Sequence, residues 1–391
     1  MGNPELTTLN SQPLYLSPNR RAWQRLLKNK PAVLGLVIII LAILLAIFAP
    51  FIAADHTPNA NEQVLEINTE KPGFSIQMLR IPKKDTLAAH NWISTLWSGR
   101  ENPYQLVPIM GYRIQGEQLM IDKYAGKKQP TTLDSLQLSA LDPTLSNSQK
   151  SSQELSQIIA KNHIVNRYYP LGTDKFGRDN LSRLILGVRI SLSVGLMAVL
   201  ISLSIGIFLG AIAGYFRGRI DDFISAFINL FWSIPLLLLV FALVMALGRE
   251  FWQIYLAVGL TMWVEVARLV RGQVISLRER EFVEAARSLG VGHARIITRH
   301  ILPNIMGPVM VLAASDFASA IIIEAGLSFL GIGVQPPTPS WGTMLNEYYG
   351  YIGTSKAFLA IIPGGAICLL VLAFNLLGNG LRDALDVKLQ V

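Results

Sequence analysis

From Ala32 to Ala54 the chain carries no charged side chain. A membrane-spanning helix needs about 20 mainly apolar residues, so this run is long enough to cross a bilayer. It exceeds the apolar core of a signal peptide, no small-residue cleavage site with a polar sequel follows it, and a basic stretch precedes it. These features predict a retained first span. Five further apolar segments follow, at Ile190–Tyr215, Phe223–Leu247, Phe251–Val266, Ile305–Val334 and Ala357–Leu377. With 51% hydrophobic and 15% charged residues in 391, and a mean hydropathy of +0.40, the composition excludes an ordinary soluble protein.

The formal charge of +8 would suit a nucleic-acid binder, but the basic residues cluster beside the apolar runs. Arg20, Arg21, Arg25, Lys28 and Lys30 precede the first run, and Arg268, Arg271, Arg278, Arg280, Arg287, Arg295 and Arg299 gather between the fourth and fifth. That is the distribution that orients membrane proteins, with basic short loops inside. It predicts six spans with both ends cytoplasmic, the lipid bilayer as partner and no nucleic acid. The fourth span is the weakest, short and ending in Glu265 and Arg268. The lone cysteine, Cys368, excludes disulfides and cysteine-ligated metals within the chain.

The expected organisation is a cytoplasmic segment over 1–31, a first helix over 32–54, an external segment over 55–188 and a five-helix core over 189–391. A cytoplasmic loop spans about 268–304. The external segment is polar. Within it Leu106–Ile114 and Gln118–Tyr124 flank Gln-Gly-Glu as a hairpin would, and Ser151–Asn162 has a helical pattern. The expected fold is therefore an all-α membrane protein with a small external mixed α/β subdomain between its first two spans.

The cytoplasmic loop carries Glu284-Ala285-Ala286, Gly290 and Leu302-Pro303. Glu284 and Arg287 are spaced to pair on a helix, and Ala285 and Ala286 would leave a bare surface for close approach. Gly290 is placed to end that helix in a left-handed cap, and Pro303 to begin the next span. A helix, a break and a second helix at the membrane face suit a docking element.

This pattern resembles the "EAA" loop in the membrane-spanning subunits of bacterial ABC importers. His300 stands where that general pattern has Ile, a form that looks like the one in peptide permeases. A second stretch, Pro170 to Asp179 with Gly187-Val188-Arg189-Ile190-Ser191-Leu192, resembles the C-type subunit of dipeptide and oligopeptide permeases. Ser233-Ile234-Pro235, Glu324 to Gly333 and Pro339-Ser340-Trp341-Gly342 continue the likeness, which covers about 18–54 and 169–388. It implies a type I importer permease core and a role for Glu284, Ala285, Ala286, Arg287, Gly290, His300, Leu302 and Pro303 in coupling to ATPase subunits. It further implies a second homologous permease completing a heterodimer, two ABC ATPases that bind ATP and Mg, and an extracytoplasmic substrate-binding protein. The chain itself would bind no cofactor and sit in a bacterial inner membrane. In the outer segment, Gly172 and Gly177 permit turns, while Thr173, Asp174, Arg178 and Asp179 suit a tightly bonded loop.

Pro235 should kink or unwind the third span beside Ser233. Asp316 and Glu324 are the acidic residues of the fifth apolar run. Eight positions apart, they fall within about 80° on a helix and could share one cavity; alternatively, Glu324 pairs with a basic loop near the outer face. Glu265 and Arg268 are spaced for a local ion pair. The cargo stays open among di- and oligopeptides, nickel complexes, glutathione or another peptide-like solute. An ion-coupled carrier using Asp316 and Glu324 is a further reading. There is no phosphate-binding Gly-x-x-x-x-Gly-Lys-Ser/Thr loop, and His56, His90, His163, His293 and His300 have no metal-ligand spacing. An enzymatic reading finds no support.

Overall fold

The computed structural model describes residues 18–83, 99–126, 130–146, 151–248 and 250–385. His90, Arg249, Asp386 and residues 1–17 lie outside them. Helix α1 (Pro18–Lys28) leads into α2 (Lys30–Ile52) through Asn29. Asn29 caps α2, its side-chain oxygen accepting from the Ala32 amide at 3.2 Å, and its side-chain Nδ2 donates to Asp383 at 3.3 Å. Leu26 packs with Ala384. The two ends of the described chain therefore meet on one side of the molecule.

The polar segment folds into a five-stranded antiparallel sheet, β1 (Phe74–Pro82), β2 (Tyr104–Gln115), β3 (Gln118–Lys123), β4 (Thr132–Gln137) and β5 (Ile164–Tyr169), in the order β4-β3-β2-β1-β5. The hairpin turns at Gly116, whose φ of 61° suits glycine. Helix α3 (Ser152–Asn162) starts at a Ser151–Glu154 capping box. Its Leu155 and Ile159 join Leu79, Ile109 and Leu119 on one sheet face, while Ile76, Met78 and Tyr169 on the other meet Val64 and Ile67. The entry and exit touch, because the Gly73 amide donates to the Tyr169 carbonyl at 3.0 Å and to that of Pro170 at 3.2 Å. The sheet is thus an insertion with adjacent ends.

The remaining helices are α4 (Asn180–Phe216), α5 (Gly218–Trp232), α6 (Leu236–Leu247), α7 (Phe251–Arg278), α8 (Glu281–Ser288), α9 (Leu302–Phe329), α10 (Trp341–Tyr348) and α11 (Phe358–Leu385). Five stretches are long and apolar enough to cross a membrane: α2, α4, α7, His293–Phe329 and α11. The pair α5–α6, bent by 92°, supplies a sixth if counted as one span. At Ser233–Pro235 the structure has a break rather than a kink, since Pro235 lacks the amide that would continue α5.

Several boundaries differ from the sequence reading. Helix α4 begins at Asn180, so the expected division between 188 and 189 falls inside it. Asp179 caps it, accepting from the amides of Leu181 and Ser182. The fourth span is not short. Its most apolar window has the lowest hydropathy of the five, 1.3 against 3.3 for α2, but 67% of it is buried against 28%, so α7 tolerates polar residues because protein surrounds it. Pro303 stands in the first turn of α9, as expected, but the span reaches further back. Helical backbone starts at His293 and passes through a π-helical turn at Ile296–Ile301 before α9, which absorbs the amide that Pro303 lacks.

The α4–α7 seam fixes the core. Gly206, Gly210 and Gly214 repeat every fourth residue along α4, and a β-carbon at Gly210 would lie 2.6 Å from the Ala267 carbonyl oxygen, one at Gly214 2.7 Å from that of Arg271. Only glycine lets the backbones approach so closely. Gly210→Val should cost about 1–3 kcal/mol by overpacking, read as a lower thermal midpoint of the purified protein. Gly272, also helical, has open space around it, so Gly272→Ala should be neutral or stabilising by up to about 1 kcal/mol.

Candidate functional site

The loop that carries Glu284-Ala285-Ala286 folds as a short helix held from behind. In α8, Val283 and Ala286 turn inward to a cluster with Tyr215 of α4, Val270 and Val274 of α7, Ile301, and Ile305 of α9. Glu284 and Ala285 face outward. Ala286 therefore does not belong to the bare surface, because its spacing from Val283 places it on the buried stripe. The outer face instead exposes Phe282 at 44% and Leu289 at 84%. No ion pair joins Glu284 to Arg287, whose guanidinium lies 6.0 Å from the Tyr215 ring centroid. Gly290 has φ 73°, with its amide on the Arg287 carbonyl and that of Val291 on Ala286; this is a Schellman cap. Tyr215 is also 2.8 Å from His293 Nδ1. The His300 carbonyl accepts from Asn304 at 2.6 Å, and Leu302 and Pro303 open α9.

The segment 170–179 is a second constellation, built around a buried carboxylate. Asp174 Oδ1 accepts from the amides of Phe176 and Arg178, and Oδ2 meets Arg178 Nε at 2.5 Å, the Tyr348 hydroxyl at 3.1 Å and Arg183 Nε at 3.8 Å. Arg178 reaches Glu347 at 3.1 Å and Asn61 at 3.2 Å. Burial disfavours the Arg178 charge, yet Asp174 outweighs it and holds the guanidinium pKa above its usual value. Burial, then the Asp174 and Glu347 carboxylates, push the Tyr348 hydroxyl pKa up, so it remains a donor. Thr173 donates to the Ile67 carbonyl and accepts from the Glu70 amide. Gly172 and Gly177 have φ of 69° and 72°, and a β-carbon at Gly177 would overlap the Val64 carbonyl. The network ties the start of α4 to α10 and to the segment after α2. Glu347 and Tyr348 were not singled out from the sequence, since only the fold brings them to Asp174.

The third constellation is a cavity of about 430 Å³ between the α5–α6 break, α7 and α9. Ser233, Pro235, Thr261, Glu265, Asp316 and Ser319 are among the residues that line it. Glu324 is not. It is fully buried two turns away, accepting from Ser328 at 2.8 Å, and Ser328 in turn takes the Val334 amide at 3.1 Å. Helical angle alone put the two carboxylates together, but Glu324 belongs to the turn that closes α9, and its partner is a hydroxyl rather than a basic loop. Glu265 and Arg268 do not pair. Arg268 donates to Asn229 at 3.2 Å and stacks over Trp232 at 4.2 Å, attracted to the end of α5 and away from its own helix.

Known families match at both ends of this architecture. Residues 206–391 match the family described as "Binding-protein-dependent transport system inner membrane component", and residues 17–72 the "N-terminal TM domain of oligopeptide transport permease C". A dipeptide transport system permease protein of Alkalihalophilus pseudofirmus is 44% identical over 219 residues, 56% of this chain and 72% of the relative. An oligopeptide transport system permease protein of Haemophilus influenzae is 43% identical over 221 residues, 56% and 71% respectively. A glutathione transport system permease protein of Pectobacterium atrosepticum is 43% identical over 220 residues, 56% and 73%. The chain belongs to the binding-protein-dependent ABC permease family, in its dipeptide/oligopeptide C-type branch. It is a multi-pass inner-membrane transport subunit without an ATPase site of its own. Neither family match covers 73–205, which contains the inserted sheet.

Breaking a buried ion pair from one side costs about 3–5 kcal/mol, because the partner charges stay buried. Asp174→Asn should therefore destabilise the purified protein by that order, since it strands Arg178 and Arg183. The drop in thermal midpoint measures it, and an unchanged midpoint would contradict the network's role.

Proposed function

We propose that this chain is one of two homologous permeases forming a heterodimeric pathway for dipeptides and oligopeptides. Two ATPase subunits bind ATP and Mg, and a substrate-binding protein delivers cargo from outside. The observation that carries this reading is α8, a short helix with an exposed apolar face whose back is bolted to α4, α7 and α9. Phe282 and the C-cap residue Leu289, seven positions apart and so on one face, are both left bare, as on a surface that awaits a partner. Glu284, Ala285, Arg287 and Leu289 face the ATPase, Gly290 ends the helix, and His300, Leu302 and Pro303 lead the motion into α9. Both chain ends and α8 lie in the cytoplasm, and the sheet lies outside. There it helps seat the binding protein at the mouth of the pathway. Ser233, Pro235 and Asp316 line that pathway at the break in the third span. The glutathione relative fits the same cargo class, since glutathione is itself a peptide. An ion-coupled carrier is disfavoured by the separation of Asp316 from Glu324.

Charge reversal in a docking face costs several kcal/mol. Glu284→Lys in the complete complex should leave membrane insertion intact while ATPase co-purification, or hydrolysis stimulated by the binding protein, falls at least about tenfold. Normal coupled uptake would contradict the assignment. Because Gly73 and Pro170 touch, removing 74–169 and rejoining them should leave the helical core folded and weaken binding-protein docking. Unchanged docking and uptake would remove the role given to the sheet.

A further inference from the structure

Two carboxylates and two engaged hydroxyls offer acceptors to the cavity beside the α5–α6 break. Asp316, on α9, is only 2% exposed, and its Oδ2 has no hydrogen-bond partner. Glu265 of α7 lines the same space. The hydroxyls of Ser233 and Thr261 spend their hydrogens on carbonyls of their own helices, Leu230 at 2.7 Å and Val258 at 2.8 Å, so their oxygens can only accept from the cavity. A buried carboxylate within a membrane is costly unless a cation reaches it.

The basic groups nearby are engaged elsewhere or lie across another space. Arg268 is held by Asn229 and Trp232, Arg271 chelates Asp221 at 2.5 and 2.8 Å, and Arg382 lines a separate cavity, of about 630 Å³, that Glu265 also borders. A guest that carries its own positive charge can pair with Asp316 from the cavity. At about 430 Å³ the space is far too large for a bare metal ion. Apart from Ser319, its remaining walls are apolar and aromatic and include Phe231 and Trp232, a setting that attracts organic cations.

We infer that this cavity receives the protonated amino group of the cargo, Asp316 taking the ammonium directly and Glu265, with the Ser233 and Thr261 oxygens, completing its shell. An ammonium presents three donors and no acceptor, which the oxygens of Asp316, Glu265, Ser233 and Thr261 complement. The inference rests on the peptide-importer reading, and it makes Asp316 the residue that distinguishes a free amino terminus from a blocked one.

The test uses the complete complex in lipid nanodiscs, treated with dicyclohexylcarbodiimide, with labelling of Asp316 and Glu265 read by peptide mass spectrometry. Glycinamide should protect both carboxylates about tenfold at a concentration well above its dissociation constant, and N-acetylglycinamide should not. In Asp316→Asn the protection of Glu265 by glycinamide should be lost, and in Asp316→Glu it should return. Equal protection by the two amides, equal protection by sodium or potassium chloride, or none at all would overturn the site. Peptide uptake by the same complex in proteoliposomes is scored separately. Protection with no uptake of any peptide upholds the site and removes the importer reading; uptake without protection does the reverse.

Discussion

The close approach of α4 and α7 is the constraint on which the rest of the molecule depends. In a bilayer, helices gain little from hiding apolar surface, so contact must come from backbone proximity and shape. Gly206, Gly210 and Gly214 provide it. The seam places α7 among its neighbours, which is why that helix can bury Thr261 despite its low hydropathy, while Glu265 faces a cavity and Arg268 is held by Asn229 and Trp232. It also places the C-terminal end of α7 beside α8.

From that seam a continuous mechanical path follows. The cluster holding Val283 and Ala286 of α8 includes Val270 and Val274 of α7 and Ile305 and Val309 of α9. Farther along the same two helices lie Glu265 and Asp316. In the proposed coupling, a push on α8 cannot leave α7 and α9 behind, because packed cores shift between discrete arrangements and do not deform smoothly. The opposite wall of the cavity, formed by the broken α5–α6 pair, is outside this cluster. Relative movement of the two walls would open or close the cavity around its guest. At the opposite end of the bundle, the Asp174 network ties the start of α4 to α10.

The sequence was most legible where local physics suffices. Long charge-free runs marked spans, Gly290 marked a left-handed cap, and Gln-Gly-Glu marked a hairpin turn. It was less legible where tertiary packing decides. Ala286 looked like surface beside Ala285, but the position of Val283 on the same stripe turned it inward. Glu265 and Arg268 had ion-pair spacing, and a tryptophan on another helix won the arginine. Asp316 and Glu324 shared a helical face, yet two helical turns put one in a cavity and the other in a closing turn. Tyr348, a partner of Asp174, lies far from it in sequence, and no short-range pattern joins the two. The insertion's role in closing its own ends at Gly73 and Pro170 was likewise invisible before folding.

The claim that α8 and α7 move as one body is open to direct measurement. Ser276 on α7 and Ser288 on α8 are both exposed, so cysteine substitution and spin labelling at these sites is possible in the complete complex, with Cys368 replaced. Double electron–electron resonance should then give one distance distribution that is unchanged between the nucleotide-free complex and the complex trapped with ATP. A second distance population appearing with ATP would mean that the docking helix moves independently of the span behind it, which contradicts the account.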